Sequence, residues 1–371
     1  MIRSSLLVWI LAVPLASAAT VDHAVCEQTG PVSYRIDFRV DGDGPVKVYA
    51  SSSADRIDTR EPVAVIRKSP AEVSVPGASG RVYFHLKPED GPTRVVAIRR
   101  LPLDGAGNFR DLGGYRTKDG KYVRWGRLYR SDHLVGLTEK DYEYLGGLGI
   151  KMVCDLRTDF ERKRSPTAWQ REAPEFLIAP VGDDSTISAS LATLKRAFET
   201  GGDPAESLRS LKAGNGNGSA SGGAPGYTDM LFAYRDQYAR VLHRLANSND
   251  PALTHCSGGA DRTGIYAALL LEALGVPRDT IVEDYLLTRR YSLDEKNMGA
   301  TAKHMQSMLG LDRTPDASFV RLLASGMSSD RIETMFRAID AKYGSFDVFL
   351  KDGLQVSQAD VERLRQRLLE P

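Results

Sequence analysis

Residues 255–264 read His-Cys-Ser-Gly-Gly-Ala-Asp-Arg-Thr-Gly, and they decide the fold of the larger part of the chain. They join a short predicted strand over residues 252–255 to an almost wholly apolar predicted helix over residues 264–274. Strands that alternate with helices in this way are typical of α/β folds. The small residues from Ser257 to Ala260 allow successive backbone N–H groups to converge at the amino terminus of that helix. We therefore expect an anion-binding loop here.

Cys256 opens this loop, and Arg262 stands six positions later. The converging N–H dipoles and the Arg262 charge would stabilise the Cys256 sulfur as a thiolate, which is the nucleophilic form. The planar guanidinium matches two phosphoryl oxygens. The pattern predicts phosphoryl transfer to sulfur and then hydrolysis by water, with the phosphate bound by Ser257, Gly258, Gly259, Ala260, Asp261 and Arg262. The alternative, an inert buried thiol, is disfavoured by the paired glycines and the arginine.

Neighbouring residues suggest how the reaction is assisted. His255 is expected to orient the loop through a hydrogen bond, while Thr263 either donates its hydroxyl to the thiolate or caps the helix. An alkoxide or phenoxide leaving group needs a proton from a nearby carboxylic acid. Asp155, at the end of a predicted strand, is favoured for this role. Asp261 is the alternative, either as the acid or as a structural partner of Arg262.

The loop also resembles the signature of the cysteine-based phosphatases, a Cys and an Arg separated by five residues. Together with residues 108–115, 126–131 and 155–157 it resembles the bacterial tyrosine phosphatase family, which includes secreted dual-specificity and lipid-active enzymes. The resemblance runs from about residue 103 to the C-terminus.

The resemblance implies an α/β cysteine-phosphatase fold, in which helices flank a central sheet. It implies hydrolysis of phosphomonoesters without metal or other cofactor, with Cys256 as nucleophile and Arg262 as phosphate clamp. It also implies that the residue matching Asp155 is a proposed general acid. Supporting residues are expected within the first matched motif, at Asn108, Arg110 and Asp111.

One position departs from the family pattern. Many members carry Lys where this chain has Ala260, and such a Lys would add positive charge for multiply phosphorylated head groups. We therefore expect phosphotyrosine as the substrate, with phosphoserine and phosphothreonine as further substrates. Phosphoinositide or inositol phosphate hydrolysis is the alternative. A non-catalytic phosphate-binding or adhesion module and a rhodanese-type sulfur transferase rank lower.

Residues 1–18 have the pattern of a cleavable signal peptide. Arg3 precedes an apolar run over residues 6–15, and Ala16-Ser17-Ala18 fits a signal peptidase site. The run is short for a bilayer span, so we expect a periplasmic or secreted protein without stable membrane insertion after cleavage. The alternative is an uncleaved N-terminal helix.

Residues 19–101 alternate short β-type runs with turn residues, which predicts a small all-β sandwich. Strands are predicted over residues 34–40, 46–50, 81–86 and 93–98. The spacing resembles a fibronectin type III or immunoglobulin-like module. It carries no visible chemistry, and the sequence names no partner for it.

Residues 102–371 are assigned to the phosphatase domain. Thr138 and Asp141 have the spacing of a helix capping box. Residues 227–245 predict one long amphipathic helix, and the Gly-rich residues 212–226 predict a flexible loop. A helical stretch over residues 191–198 either covers the site as a mobile element or belongs to a plain insertion.

Composition limits the remaining possibilities. The 371 residues allow two domains, and 42% hydrophobic residues are enough for packed cores. The formal net charge of +1 gives the whole chain no field that attracts nucleic acid. Cys26, Cys154 and Cys256 are too few for a disulfide framework or a zinc cluster. A redox disulfide between Cys154 and Cys256 is a minority hypothesis.

Overall fold

The computed structural model describes residues 19–371 except residues 43, 168, 171 and 214–225. The predicted signal peptide and most of the predicted Gly-rich loop therefore lie outside the described residues. Lys212 and Ala213, which the sequence assigns to that loop, instead end a helix over Pro204–Ala213.

The N-terminal part consists of two antiparallel sheets, one with the order β1-β2-β5 and the other with the order β4-β3-β6-β7. Their strands are β1 Thr20–Gln28, β2 Ser33–Asp41, β3 Val46–Ser51, β4 Ala64–Ile66, β5 Ala71–Ser74, β6 Tyr83–Pro88 and β7 Arg94–Ala97. Side chains from both sheets share one core, in which the rings of Tyr34 and Phe84 meet edge-on with centroids 5.0 Å apart. The expected all-β unit is present, and its resemblance to fibronectin type III modules stays a prediction.

The larger part is built on a five-stranded sheet with the order β12-β11-β13-β10-β8. The first four strands of that order are parallel, and β8 pairs with β10 in the antiparallel direction. The bounds are β8 Arg110–Asp111, β10 Leu128–Ser131, β11 Met152–Asp155, β12 Glu175–Ile178 and β13 Ala252–His255, and a separate pair consists of β9 Tyr122–Val123 and β14 Leu369–Glu370. Because β13 is central, the residues that follow it lie between two neighbouring strand ends.

Helices surround this sheet. They are α1 Glu139–Gly146, α2 Asp159–Arg164, α3 Asp184–Glu199, α4 Pro204–Ala213, α5 Tyr227–Ala233, α6 Arg235–Ala246, α7 Asp261–Leu274, α8 Arg278–Ser292, α9 Glu295–Leu309, α10 Ala317–Ser325, α11 Ser329–Tyr343, α12 Phe346–Val348, a π-helix over Phe349–Gly353, and α13 Gln358–Leu368. Within the described ranges, none of these helices has both the length and the apolar character that a bilayer crossing requires.

Two local predictions had different outcomes. The capping box is confirmed, because the Thr138 hydroxyl accepts the Asp141 N–H and the Asp141 carboxylate accepts the Thr138 N–H. The single helix predicted over residues 227–245 is wrong, since the backbone leaves the helical conformation at Tyr234, with φ −115° and ψ 22°. The two halves pack on different neighbours, α5 on α7 and α11 and α6 on α13, so the break lets each half follow its own partner.

The N-terminal sheets contact the larger part through a buried interface. Arg81 pairs with Asp111 at 2.9 Å, and both side chains are almost completely buried. The indole N–H of Trp125 donates to the Val95 carbonyl at 3.1 Å, and its ring packs in the N-terminal core. The two parts are therefore joined by more than the connecting chain near residue 101.

Candidate active site

Cys256 directly follows β13 and precedes α7 by a short loop. Its sulfur accepts the backbone N–H of Gly259 at 3.2 Å, and the residue is only 2% exposed. The sulfur therefore lies beside the amino terminus of a 14-residue helix, where unpaired N–H groups and the helix dipole favour negative charge.

Gly259 fixes the shape of this loop. Its φ of +63° is a left-handed conformation that side chains disfavour. A Cβ atom at this position would lie 2.6 Å from the Ser131 carbonyl oxygen and 2.7 Å from the Asn108 side-chain nitrogen. The loop can come this close to its neighbours only because residue 259 is glycine.

Arg262 is held in place by Glu161, a residue of α2. Its Nη1 donates to one oxygen of Glu161 at 2.6 Å and its Nη2 to the other at 2.8 Å. The Glu161 carboxylate also accepts the Ser257 hydroxyl at 2.6 Å. Burial alone would raise the pKa of Glu161, but Arg262 and Ser257 lower it to about 2. Nη1 also faces the carbonyl oxygens of Leu156 and Val181 at 3.4 Å. Nη2 carries a second hydrogen besides the one that binds Glu161, and this hydrogen and the Nε hydrogen form the edge that can bind a phosphate.

A buried polar network supports the loop from below. The Asn108 amide donates to the Gly259 carbonyl at 3.1 Å, and Arg130 donates to the same oxygen at 2.8 Å. Arg130 and Arg110 both pair with Asp284, at 2.7 Å and 3.0 Å. Two guanidinium groups thus share one carboxylate, which leaves a net positive charge beneath the phosphate loop and favours a bound anion.

Asp155 lies where the sequence placed it, opposite His255 in the paired strands. Its two oxygens accept Nε and Nη2 of Arg157, at 2.9 Å and 2.7 Å, and the side chain is almost fully buried. Burial raises its pKa, but His255 and Arg157 outweigh that effect and hold the pKa below its usual value. This geometry disagrees with the expected role as proton donor, because the carboxylate is ionised and fully bound.

Asp261 faces the solvent side of the loop. It accepts the Tyr227 hydroxyl at 2.6 Å and Arg331 at 3.4 Å, and about half of its side chain is exposed. The alternative in which Asp261 is the structural partner of Arg262 does not fit this geometry, since Arg262 pairs with Glu161, whose carboxylate approaches from α2.

The remaining expected residues divide into two groups. His255 is fully buried, with Nδ1 3.2 Å from the Cys256 carbonyl and Nε2 3.7 Å from Asp155, which fits an orienting role. The Thr263 hydroxyl is buried and finds no hydrogen-bond partner among the described residues. Asp111 points away from the loop to Arg81 and the Gly113 and Gly126 amides. In the described residues the Asp111 carboxylate therefore binds outside the loop, and its expected supporting role stays a prediction.

Cys154 is buried with a free thiol, and burial raises the pKa of that thiol to about 12. Such a thiol is a poor nucleophile for disulfide exchange. The redox disulfide with Cys256 stays a prediction.

A cavity of about 390 Å³ opens above the loop at Ser257, Gly258, Ala260 and Asp261. Its walls are mainly apolar side chains from four surrounding helices and the turn after the last of them, namely Ile187, Leu191, Leu194, Leu208, Leu211, Met305, Met308, Val320, Leu323 and Met327. The anion site therefore lies at the floor of an apolar chamber.

Three residues of this arrangement were not singled out in the sequence. Glu161 carries a usable signal, since Thr158 and Glu161 form a capping box directly after the matched residues 155–157. Arg130 lies within a matched motif, but nothing in the sequence indicates that it reaches Gly259. Asp284 lies on α8, and only the tertiary structure brings it to the two arginines.

Comparison with known proteins agrees with this geometry. Residues 101–370 match the model of the tyrosine phosphatase family. The triple specificity protein phosphatase PtpB of Mycobacterium tuberculosis is 34% identical over 290 residues, which cover 74% of this chain and 100% of that protein. A tyrosine-protein phosphatase of Nostoc commune is 30% identical over 243 residues, 64% of this chain and 73% of that protein. The chain is a member of the tyrosine phosphatase family.

Proposed function

We propose that this protein hydrolyses phosphotyrosine in proteins through a phosphocysteine formed on Cys256. The position of the Cys256 sulfur carries the proposal, because it accepts the Gly259 N–H at the start of α7 and lies in the loop that also contains Arg262. In the first step the sulfur attacks phosphorus, and the bond from phosphorus to the tyrosine oxygen breaks. In the second step water attacks phosphorus, and the thiolate leaves.

The loop stabilises the charge that develops during both steps. Its backbone N–H groups and the free edge of Arg262 bind the equatorial phosphoryl oxygens. Glu161 holds that edge toward the phosphate, because it binds the opposite side of the guanidinium. The buried charge of Arg110 and Arg130 adds attraction for the phosphate dianion without a Lys at position 260.

The chamber above the loop supports an aromatic substrate. Its apolar walls fit a phenyl ring and flanking apolar side chains. Among the described residues that line the chamber, Arg331 supplies the one Lys or Arg side chain. A head group with several phosphates needs several cations, so phosphotyrosine is favoured over phosphoinositides. The name of the Mycobacterium tuberculosis relative states a triple specificity, so substrates other than phosphotyrosine belong in the same comparison.

Parallel assays test this assignment. We expect phosphate release from phosphotyrosine peptides to exceed release from phosphoinositide vesicles and from phosphoserine peptides. The Cys256→Ser variant should release none while still binding inorganic phosphate. Release from the vesicles alone would reverse the substrate assignment, and full turnover by Cys256→Ser would reject the mechanism.

Export is part of the proposal. The pattern over residues 1–18 supports it, and β1 begins at Thr20, so cleavage after Ala18 leaves the whole strand intact. N-terminal sequencing of the protein from periplasm and culture medium should give Ala19 as the first residue. Recovery of the uncleaved chain from the cytoplasm would contradict it.

A further inference from the structure

Asp132 directly follows β10, at the same edge of the sheet as Cys256. β10 pairs with β13 in parallel register, which places Ser131 opposite His255. The Asp132 amide nitrogen lies 2.7 Å from the position of a Cβ on Gly259, and the next amide, that of His133, donates to the Ser257 carbonyl at 3.0 Å. The backbone at Asp132 therefore abuts the middle of the phosphate loop, and Asp132 itself lines the cavity above it.

Among the described residues, three carboxyl groups line this cavity, and their partners differ. Glu161 is bound by Arg262, and Asp261 is bound by Arg331. Asp132 has only neutral donors: the Ser131 hydroxyl at 3.0 Å, the Asn108 N–H at 3.4 Å, and the backbone N–H groups of Gly107 and of Asp132 itself. No ion pair in the described ranges includes Asp132, so no cation holds it in its ionised form.

Burial raises the pKa of Asp132 to about 6, and its neutral donors offset this only in part. The titratable groups that face it do not reverse this effect. His133 stacks on His304 of α9 with ring centroids 3.7 Å apart, and burial lowers the pKa of both, that of His304 to about 4. Both rings are therefore neutral at neutral pH, whereas a bound phosphate adds negative charge that favours protonated Asp132 further.

We propose that Asp132 is the catalytic acid of this phosphatase. In the first step its carboxyl proton passes to the tyrosine oxygen as the bond between that oxygen and phosphorus breaks, and Asp132 becomes a carboxylate. In the second step this carboxylate takes a proton from the attacking water, and the electrons of the S–P bond return to the Cys256 sulfur. The assignment rests on the proposed function and replaces both Asp155 and Asp261 in the acid role.

The test uses aryl phosphates that differ in the basicity of the leaving phenol. We expect Asp132→Asn to lower kcat about 100-fold or more for a phosphotyrosine peptide, because the phenoxide then leaves without a proton. For dinitrophenyl phosphate, whose leaving group needs no proton, we expect a loss of about 3-fold or less. Asp155→Asn and Asp261→Asn are matched controls that should change kcat by the same factor for every ester.

A second measurement needs no variant. In the wild-type protein, kcat/KM for the phosphotyrosine peptide should fall as pH rises through about 6, and kcat/KM for dinitrophenyl phosphate should not. An Asp132→Asn variant with the leaving-group dependence of the wild type, or the same pH profile for both esters, overturns the assignment while Cys256-dependent turnover persists. Loss of the proposed function is distinct from this, since the wild type would then release phosphate from none of the esters.

Discussion

Replacing Glu161 with Gln tests how the protein holds its phosphate clamp. The substitution keeps the size of the side chain and removes the charge that binds Arg262 through both terminal nitrogens. The pKa of Glu161 is lowered from 4.5 to about 2. This difference corresponds to roughly 3 kcal/mol, close to the range of about 3–5 kcal/mol for breaking a buried pair.

The pH dependence of this effect has a definite sign. Because the folded-state pKa is lowered, the contribution to stability is fully present above about pH 4.5 and is lost as pH falls through about 2. Urea unfolding should therefore show Glu161→Gln to be less stable than the wild type by about 3 kcal/mol at neutral pH, with a smaller difference near pH 3.

Activity provides the second readout for this variant. A guanidinium that is free to turn should lower kcat/KM for a phosphotyrosine peptide by about 100-fold, the scale expected for a misplaced catalytic group. Glu272→Gln is the matched control, since Glu272 is a buried carboxylate of α7 that pairs with Lys118 and Arg278 outside the site. Equal urea midpoints for Glu161→Gln and the wild type at neutral pH would refute the reasoning.

Two further substitutions probe the loop and the interface. Gly259→Ala places a Cβ 2.6 Å from the Ser131 carbonyl oxygen. We expect about a 100-fold loss of kcat/KM in steady-state assays, with an unchanged circular dichroism spectrum. Normal activity would contradict the proposed loop geometry. Arg81→Met leaves Asp111 buried without its ion pair. Calorimetry should then show a lower melting temperature and an N-terminal part that unfolds separately. A single unchanged transition would show that the Arg81–Asp111 pair does not couple the two parts.

The phosphate loop could be predicted because its parts are contiguous in the chain. A strand, four small residues and a helix start fix where the N–H groups point, so residues 252–264 contain nearly all the information needed. The position of Asp155 beside His255 was also predictable, since parallel strands bring their carboxyl ends together. The protonation state of Asp155 was not predictable, because it depends on whether the Arg157 side chain folds back to bind both carboxylate oxygens of Asp155.

The support of the loop depends on contacts between distant parts of the sequence. Asp284 lies on α8, the second helix after the loop, and pairs from there with Arg110 and Arg130. Periodicity places Asp284 on a helix but does not say which buried charges the helix meets. Likewise, the sequence around Tyr234 contains no residue that breaks helices. The break at Tyr234 follows from the different packing partners of α5 and α6. Asp111 matched a motif, yet its orientation toward Arg81 depends on the N-terminal part of the chain.

The phosphocysteine is tested most directly by acid quenching during turnover of a phosphotyrosine peptide, followed by mass spectrometry of the fragment that contains Cys256. We predict a phosphoryl group on Cys256 in the wild type, and its absence together with loss of phosphate release in Cys256→Ser. A phosphoryl group on another residue, or phosphate release by Cys256→Ser at the wild-type rate, would contradict the mechanism.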